Sequence, residues 1–418
     1  MKKLSLVALV LAVLMLFAAC GTGTTTESSA PAESAAASEE PTKTEAPAES
    51  SAAASEATGT SDNPNAADFE YVTADYVKDG VFDINTYYNS LGVDCNVTIK
   101  EDGGVVKVQD DMKTSVPKAK EKYTIGFSIY YTVDEVGAVI LDTMKKVAEE
   151  AGVELLVNDA NYDQNAQNQA VEQWITQGVD GVIIAPCDFT AVKGSLDALE
   201  KANIPVVSMN PPLAGTVDTV VMLDCVEEGQ MAGEMLIDAI KAEGKDVKGQ
   251  IVYDTLPFVH PNAATRTKGF KDAFASYPDV EFVELTGTSP EDHYTAFEGA
   301  LQAYPDMIGA WGLYSSATIG MVNAKKAANS TVPISSVDND KVILADIADG
   351  SVVGSACYSG AASATWCMSD IVNILNGVQD IPAAIFYQNQ KVTKDNVAEM
   401  FAHYYPGTTL EEYQNGQG

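Results

Sequence analysis

Residues 123–157 read YTIGFSIYYTVDEVGAVILDTMKKVAEEAGVELLV. Two apolar runs, Thr124-Ile-Gly-Phe-Ser-Ile129 and Val153-Glu-Leu-Leu-Val157, flank a segment from Asp134 to Ala151. In that segment Val136, Ile140, Met144, Val147 and Ala148 recur at helical spacing. The runs are apolar rather than alternating, so each predicts a strand buried on both faces, and the segment between them predicts a helix with one apolar stripe. A strand, a helix and a second strand in this order make a parallel unit whose helix covers the sheet.

The alternation continues toward the C-terminus. Helix Gln164 to Gln177 leads to strand Gly181-Val-Ile-Ile-Ala185, helix Ala191 to Ala202 to strand Ile204-Pro-Val-Val-Ser208, and a strand Thr219-Val-Val-Met-Leu223 closes the series. After Asp224 it restarts with helix Glu227 to Ala242 and runs through strand Gln250 to Tyr253, helix Ala264 to Ser276 and further pairs, among them helix Lys341 to Ala348, to strand Val352 to Ser355. The expected fold class is α/β, with two doubly wound parallel-sheet lobes in series. Ligands of such sheets sit beyond the carboxyl ends of the strands, in a cleft between facing lobes.

Toward the N-terminus the character changes. Residues 69–122 form a small extension in which Cys95 to Lys100 and Val105 to Val108, about Glu101-Asp-Gly-Gly104, read as a β-hairpin, with Pro117 to Lys122 as the linker out. Residues 20–68 lack aromatic residues and are rich in Ser, Thr, Ala, Glu and Pro, with nine acids against one lysine from Gly21 to Asp68. Such a stretch buries too little surface to offset its ordering entropy and reads as a disordered acidic tether. Residues 1–19 have a basic start and a short apolar run, the pattern of a signal peptide. The small residues before Cys20 resemble the lipobox of bacterial lipoproteins, which implies acylation of Cys20 and attachment to the outer face of the cell membrane.

The chain has 418 residues and a formal net charge of −34, most of it outside the tether, which repels phosphate backbones and excludes nucleic acid as a partner. The cysteines beyond Cys20 (Cys95, Cys187, Cys225, Cys357 and Cys367) are odd in number and form no C-x-x-C, and the three histidines are scattered. Free buried thiols are expected, with no zinc site or other metal. No strand is followed by G-x-G-x-x-G, and there is no G-x-x-x-x-G-K-[ST], H-E-x-x-H or G-x-S-x-G, so no cofactor and no catalysis are expected. The expected strand ends carry Ser128, Tyr130, Tyr131, Thr132, Asn158, Asp159, Asn161, Asp188, Asn210, Tyr314, Ser315, Asp338, Asn339 and Tyr358, a set of rings, amides and carboxylates.

Four stretches carry a resemblance to a known family: Gln173-Trp-Ile-Thr-Gln-Gly-Val-Asp-Gly-Val-Ile-Ile-Ala-Pro186, Ala202-Asn-Ile-Pro-Val-Val-Ser208, Ala264-Thr-Arg-Thr-Lys-Gly-Phe270 and Ser336-Val-Asp-Asn339. From Tyr123 to about Ala402 the chain resembles the type I periplasmic sugar-binding proteins of ABC transporters, the ribose- and galactose-binding family. The resemblance implies an N-terminal lobe of 123–223 plus 358–387 and a C-terminal lobe of 224–357 plus 388–405, with 406–418 as a tail. The hinge is then made of three crossings, at Leu223-Asp224, Cys357-Tyr358 and Tyr387-Gln388. It implies ligand contacts at Ser128, Tyr131, Thr132, Glu135, Asn210, Arg266, Tyr314, Asp338 and Tyr358. Ser128, Arg266 and Asp338 match the family in type, whereas Met209-Asn210 stands where the family carries an Asp-Arg pair, which argues against ribose itself.

The residues suit a hydroxylated ligand. A carboxylate accepts from vicinal hydroxyls, a guanidinium fork donates to them, and aromatic rings lie on C–H faces. Arg266 is the one arginine in a chain with 24 lysines, which points to a position that calls for a planar fork, the alternative being a surface charge on the helix that begins at Ala264. On this reading Arg266→Ala lowers ligand affinity and leaves folding nearly unaffected, because the open cleft is solvated. Asp338 reads alternatively as the N-cap of the following helix, the tyrosines as interlobe packing, and Trp311 as core. The implied function is a monomeric substrate-binding lipoprotein that captures a sugar or polyol and delivers it to ABC permease subunits, touching the membrane through its lipid alone. A sensor or adhesion lipoprotein using the same fold is the alternative. A chain beginning at Tyr123 is expected to fold, and a 123–224 fragment is not.

Overall fold

The computed structural model describes residues 69–71, 77–78, 81–108, 116–132, 135–256 and 260–416. The expected signal peptide, the acylated Cys20 and the tether lie outside the described residues. The extension contains strands Phe69–Tyr71 (β1), Val77–Lys78 (β2) and Val81–Phe82 (β3), helix Ile84–Ser90 (α1), and strands Asn96–Ile99 (β4) and Val105–Val108 (β5). The first alternating series follows as Thr124–Ile129 (β6), Glu135–Ala151 (α2), Glu154–Asp159 (β7), Gln164–Gln177 (α3) and Gly181–Ile184 (β8). It ends with Lys193–Lys201 (α4), Val206–Met209 (β9), Ala214–Val217 (β10) and Thr219–Leu223 (β11).

The second series comprises Cys225–Ala242 (α5), Gly249–Thr255 (β12), Pro261–Ala273 (α6), Val280–Thr286 (β13), Pro290–Ala303 (α7), Gly309–Gly312 (β14) and Ser315–Ala327 (α8). It continues with Ile334–Val337 (β15), Lys341–Asp349 (α9), Gly354–Tyr358 (β16), Gly360–Leu375 (α10), Ala384–Tyr387 (β17), Asn389–Thr393 (β18), Val397–Tyr404 (α11) and Leu410–Gln414 (α12).

These strands build two main sheets. The first runs β1-β5-β17-β11-β9-β8-β6-β7 and is parallel except for β1; the second runs β13-β12-β14-β15-β16-β18 and is parallel except for β18. Successive side chains of a strand point to opposite faces, so an unbroken apolar strand serves two cores. Phe127 and Ile129 join Val106, Val108 and the inner faces of α2 and α10, whereas Val182, Ile184 and Val105 join Trp174, Leu196 and Tyr88. In the second sheet Val252 and Ala310 pack with Phe297 and Met321, and Ile251, Tyr253 and Trp311 pack with Leu236 and Phe270. Trp311 is core, stacked on Phe270 with ring centres 4.2 Å apart.

The extension departs from the expected hairpin. β4 pairs in parallel with β10, and β5 pairs in parallel with β17 while β1 lines its outer edge, so the two strands do not pair with each other. Val105, Val106 and Val108 are all buried, and a two-stranded hairpin has one face to bury at most. The glycines between the strands serve a close approach instead. A Cβ on Gly103 would lie 2.4 Å from the carbonyl oxygen of Ile381, to which the Gly103 N–H donates at 3.0 Å. The expected tail also packs: Thr409 and Glu412 cap α12 reciprocally, and Leu410 is buried against the second sheet's core with Phe401. The five described cysteines are free thiols.

Candidate ligand-binding cleft

The chain passes from the first sheet to the second between β11 and α5, returns between β16 and α10, and passes again between β17 and β18. In each sheet the first strand of the series, β6 or β12, lies between its two successors, which is the point where an open sheet leaves a crevice at its carboxyl edge. The two carboxyl edges touch. Glu135 at the start of α2 accepts from the Lys341 backbone N–H at 2.9 Å and pairs with its Nζ at 3.3 Å, from one lobe to the other.

On the first lobe the crevice carries aromatic rings. Tyr162 stacks on Tyr131 with centres 5.0 Å apart and on Tyr130 at 5.7 Å. Asn161 and Tyr162 both take left-handed backbone, with φ of 47° and 58°, a conformation that asparagine tolerates and that is unusual for a residue as bulky as tyrosine. Tyr162 is 62% exposed. Thr132 donates to Asp159. Asn210, after β9, is also left-handed at φ 66°, and its side-chain oxygen is buried with no hydrogen-bond partner among the described residues.

On the second lobe the crevice is built on buried charge. Arg266, from α6, donates through Nε to Glu228 Oε2 at 2.8 Å and through Nη2 to Glu228 Oε1 at 3.5 Å and Asp338 Oδ1 at 3.4 Å. Burial alone lowers an arginine's pKa, but the two carboxylates outweigh it and hold Arg266 firmly protonated. Asp338 takes φ 71° after β15, and its Oδ2 accepts from the Ser315 N–H at the start of α8 at 2.9 Å. Asp338 is therefore not the cap of α9, whose N-cap is Asp340. A second chain of groups lies beside it: Asp254 is 2.6 Å from His293 Nδ1, and His293 Nε2 is 2.7 Å from the Tyr314 hydroxyl. Burial pushes the Tyr314 hydroxyl upward, with Asp254, Asp292, Asp338 and, from the other lobe, Tyr162 adding to the shift.

The sequence-derived residues thus separate into three groups. Arg266 and Asp338 meet directly. Tyr358 stands with them, its hydroxyl raised first by burial and then by Asp338 and Tyr130. Tyr131 joins the aromatic wall, Asn210 offers an unpaired acceptor, and Tyr314 ends the histidine chain. Ser128 is fully covered, donating to Asn158 at 2.9 Å and accepting from Gln167 at 3.0 Å. Thr132 is engaged by Asp159, and Glu135 by Lys341. Two residues escaped sequence reasoning, Tyr162 and Glu228. Tyr162 follows Asn161 in the turn after β7 and was legible as an aromatic at a strand end. Glu228 sits in the first turn of α5, where an acid ordinarily complements the helix dipole, so nothing in its own segment marks it.

A family model described as periplasmic binding protein domain matches residues 125–379. The chain belongs to this family. The family consists of binding proteins, and its fold accounts for the two parallel-sheet lobes. Among curated relatives, a ribose import binding protein of Bacillus subtilis is 27% identical over 55% of this chain and 74% of its own length. A xylitol-binding protein of Mycolicibacterium smegmatis is 24% identical over 62% and 74%. A solved ABC transporter solute-binding protein from Mycobacterium smegmatis with bound glycerol superposes with a TM-score of 0.60 at 26% identity, covering 67% of this chain and 96% of its own.

Proposed function

We propose that this chain is the solute-capturing lipoprotein of an ABC importer, taking a small hydroxylated solute, a sugar or polyol, between its lobes and delivering it to permease subunits. The observation that carries the reading is the pairing of an exposed aromatic wall on one lobe with buried hydrogen-bonding groups on the other, at the carboxyl ends of both sheets. Tyr131, Tyr162 and Tyr358 supply faces for C–H surfaces. Asn210, Tyr314, Asp338 and Arg266 supply donors and acceptors for hydroxyls, Thr132 and Glu135 stand at the rim, and Ser128 braces the strand end from beneath through Asn158 and Gln167. The relatives that bind ribose, xylitol and glycerol support the same ligand class. The lobes are 123–223 with 358–387, completed by β1 and β5 of the extension, and 224–357 with 388–405, onto which α12 packs, and the three sheet-to-sheet passages form the hinge about which they close. Cys20 carries the lipid, the chain works as a monomer, and it turns nothing over.

A closed cleft stabilises the fold by about 2.7 kcal/mol when ligand stands at ~100 times its dissociation constant, a shift of several degrees in a melting curve. Melting against pentoses, hexoses, polyols, sugar acids, nucleosides and amino acids is expected to give a hit among the neutral sugars or polyols, and mass spectrometry of solute released by mild unfolding identifies it. A hit confined to amino acids defeats the assignment.

A further inference from the structure

Glu228 has no solvent exposure. The titratable groups that face it are Arg266 of α6, Asp338 after β15, Cys225 of its own helix, Cys357 of β16 and Tyr387 of β17. Arg266 is the cation of that group. The meeting of Glu228 with Arg266 is enforced by the backbone: a Cβ on Gly229 would lie 1.9 Å from the Arg266 carbonyl oxygen, and a Cβ on Gly269 would lie 1.9 Å from that of Val226. Two glycines, one on each helix, let α5 and α6 touch main chain to main chain, which brings the carboxylate behind the guanidinium. Arg266 also donates through Nη1 to the Leu313 carbonyl at 3.4 Å. One positive charge therefore stands against two carboxylates, Glu228 and Asp338.

We propose that Glu228 is a specificity-determining residue of the cleft: by compensating Arg266 from its buried side, it makes the site select uncharged polyhydroxy solutes over their carboxylated or phosphorylated counterparts. This rests on the sugar or polyol reading above. An anionic solute entering the cleft sheds its water and needs an uncompensated cation in return. Arg266 does not provide one, and Asp338 repels. Hydroxyls need a donor or an acceptor at each point, which Asp338, Arg266 and Asn210 provide without net charge transfer into the site.

The protonation of Glu228 makes the balance adjustable. Burial pushes its carboxyl up to about 7, with Arg266 pulling the other way and Asp338 adding to the rise. Above that pH the cluster carries one excess negative charge, and below it Arg266 and Asp338 balance. Sugar acids stay ionised throughout this range, with carboxyl pKa values near ~4, so their affinity is expected to rise as pH falls from 8 to 6.

The test is calorimetry on the full chain with three matched pairs of probes: xylitol and xylonate, ribose and ribonate, galactose and galactonate. A unit charge roughly 10 Å from the ligand, at an effective dielectric of about 20, changes affinity about ten-fold. At pH 8 the Glu228→Gln chain is expected to bind the acid of the preferred pair about ten-fold more tightly than the unsubstituted chain, and so to raise the acid-to-neutral affinity ratio of that pair. The unsubstituted chain gains a similar factor for the acid between pH 8 and pH 6, and Glu228→Gln shows no such gain. Equal acid affinity in both chains, or a flat acid profile in the unsubstituted chain, overturns the inference. The pH series needs no variant, so it decides the matter if Glu228→Gln folds poorly. Binding of the acid in preference to its neutral partner at pH 8 also overturns it while leaving solute capture intact. Failure of every probe to bind, together with no hit among the neutral sugars and polyols of the melting panel, defeats the sugar or polyol reading itself.

Discussion

The two lobes share one doubly wound plan yet meet the cleft with opposite means. The first presents rings and polar groups on half-buried or exposed turns, with Tyr162 outermost and its carboxylates Asp159 and Glu135 engaged by Thr132 and Lys341. The second presents charge that is held inside the packing of α5 on α6 and fed outward through Arg266 to Asp338. A binding wall made of exposed side chains can be altered without touching the fold. A binding wall made of buried ions cannot, because removing one partner leaves the other uncompensated in a low dielectric. Substitutions in the two lobes should therefore separate affinity from stability in different ways.

The largest effect concerns the sheet edges, where the lobes also differ. The second sheet is completed by β18 from its own C-terminal region, and the first by the distant extension. Ile84, Tyr88, Val93, Val97, Val105, Val106 and Val108 are all buried there. At about 1.5–3 kcal/mol for each large apolar side chain, their burial is comparable with the ~5–15 kcal/mol that keeps a domain folded. A chain truncated to begin at Tyr123 is thus expected to lose its first lobe. The sequence alone led to the opposite expectation, that a chain beginning at Tyr123 folds, because nothing in it shows where the extension packs. Hydrogen exchange should show fast exchange across β6 to β11 and β17, with β12 to β15 protected. Protection of both sheets in the truncated chain breaks the contrast.

Next in size is Arg266→Ala. The sequence suggested an effect on binding alone, but the structure buries Arg266 against Glu228, so apo stability at pH 8 is expected to fall by about 3–5 kcal/mol along with ligand affinity. The loss should shrink toward pH 6. A raised carboxyl pKa contributes stability that is fully present below the unfolded value near 4.5 and is lost as pH climbs through the folded value, about 7 with Arg266 in place and higher once its downward pull is gone, so protonation increasingly spares an unpaired Glu228 as pH falls. The double change Glu228→Leu with Arg266→Met should restore apo melting to within about 1 kcal/mol, since a well-packed apolar pair often replaces a buried ion pair without cost, while affinity stays lost. Unchanged apo melting in Arg266→Ala would remove the distinction between the lobes.

Tyr162→Ala is the complementary case. It should leave apo stability within about 0.5 kcal/mol, as surface substitutions do. Affinity should fall by about ten-fold through the loss of a stacking face. A melting loss as large as that of Arg266→Ala would show the ring to be structural. The smallest effect is expected at Glu135→Gln, which weakens the half-exposed pair with Lys341 between the lobes. Such pairs contribute about 0.2–1 kcal/mol and are screened by salt. The variant's affinity for the captured solute should approach that of the unsubstituted chain as ionic strength rises, and a gap that persists in high salt would require a direct contact with ligand.

Much of this protein is written locally. An apolar strand, a striped helix and an apolar strand in repetition determine a parallel doubly wound sheet, because burial period and chain direction are properties of neighbouring residues. The carboxyl ends of those strands then name most of the proposed cleft, Asn210, Tyr314, Asp338 and Tyr358 among them, and the solitary Arg266 announces itself by composition. Tertiary structure alone decided the rest. That Val105 to Val108 pairs with β17, far along the chain, rather than with its near neighbour β4 depends on a site both of whose faces are covered. That Ser128 is hidden while Tyr162 is open depends on how α3 lays Gln167 beneath the strand end. That Glu228 meets Arg266 depends on two helices touching at Gly229 and Gly269. Each of these is a contact between segments whose own patterns are complete without it, so no local regularity records it, and only the folded chain brings the partners within reach.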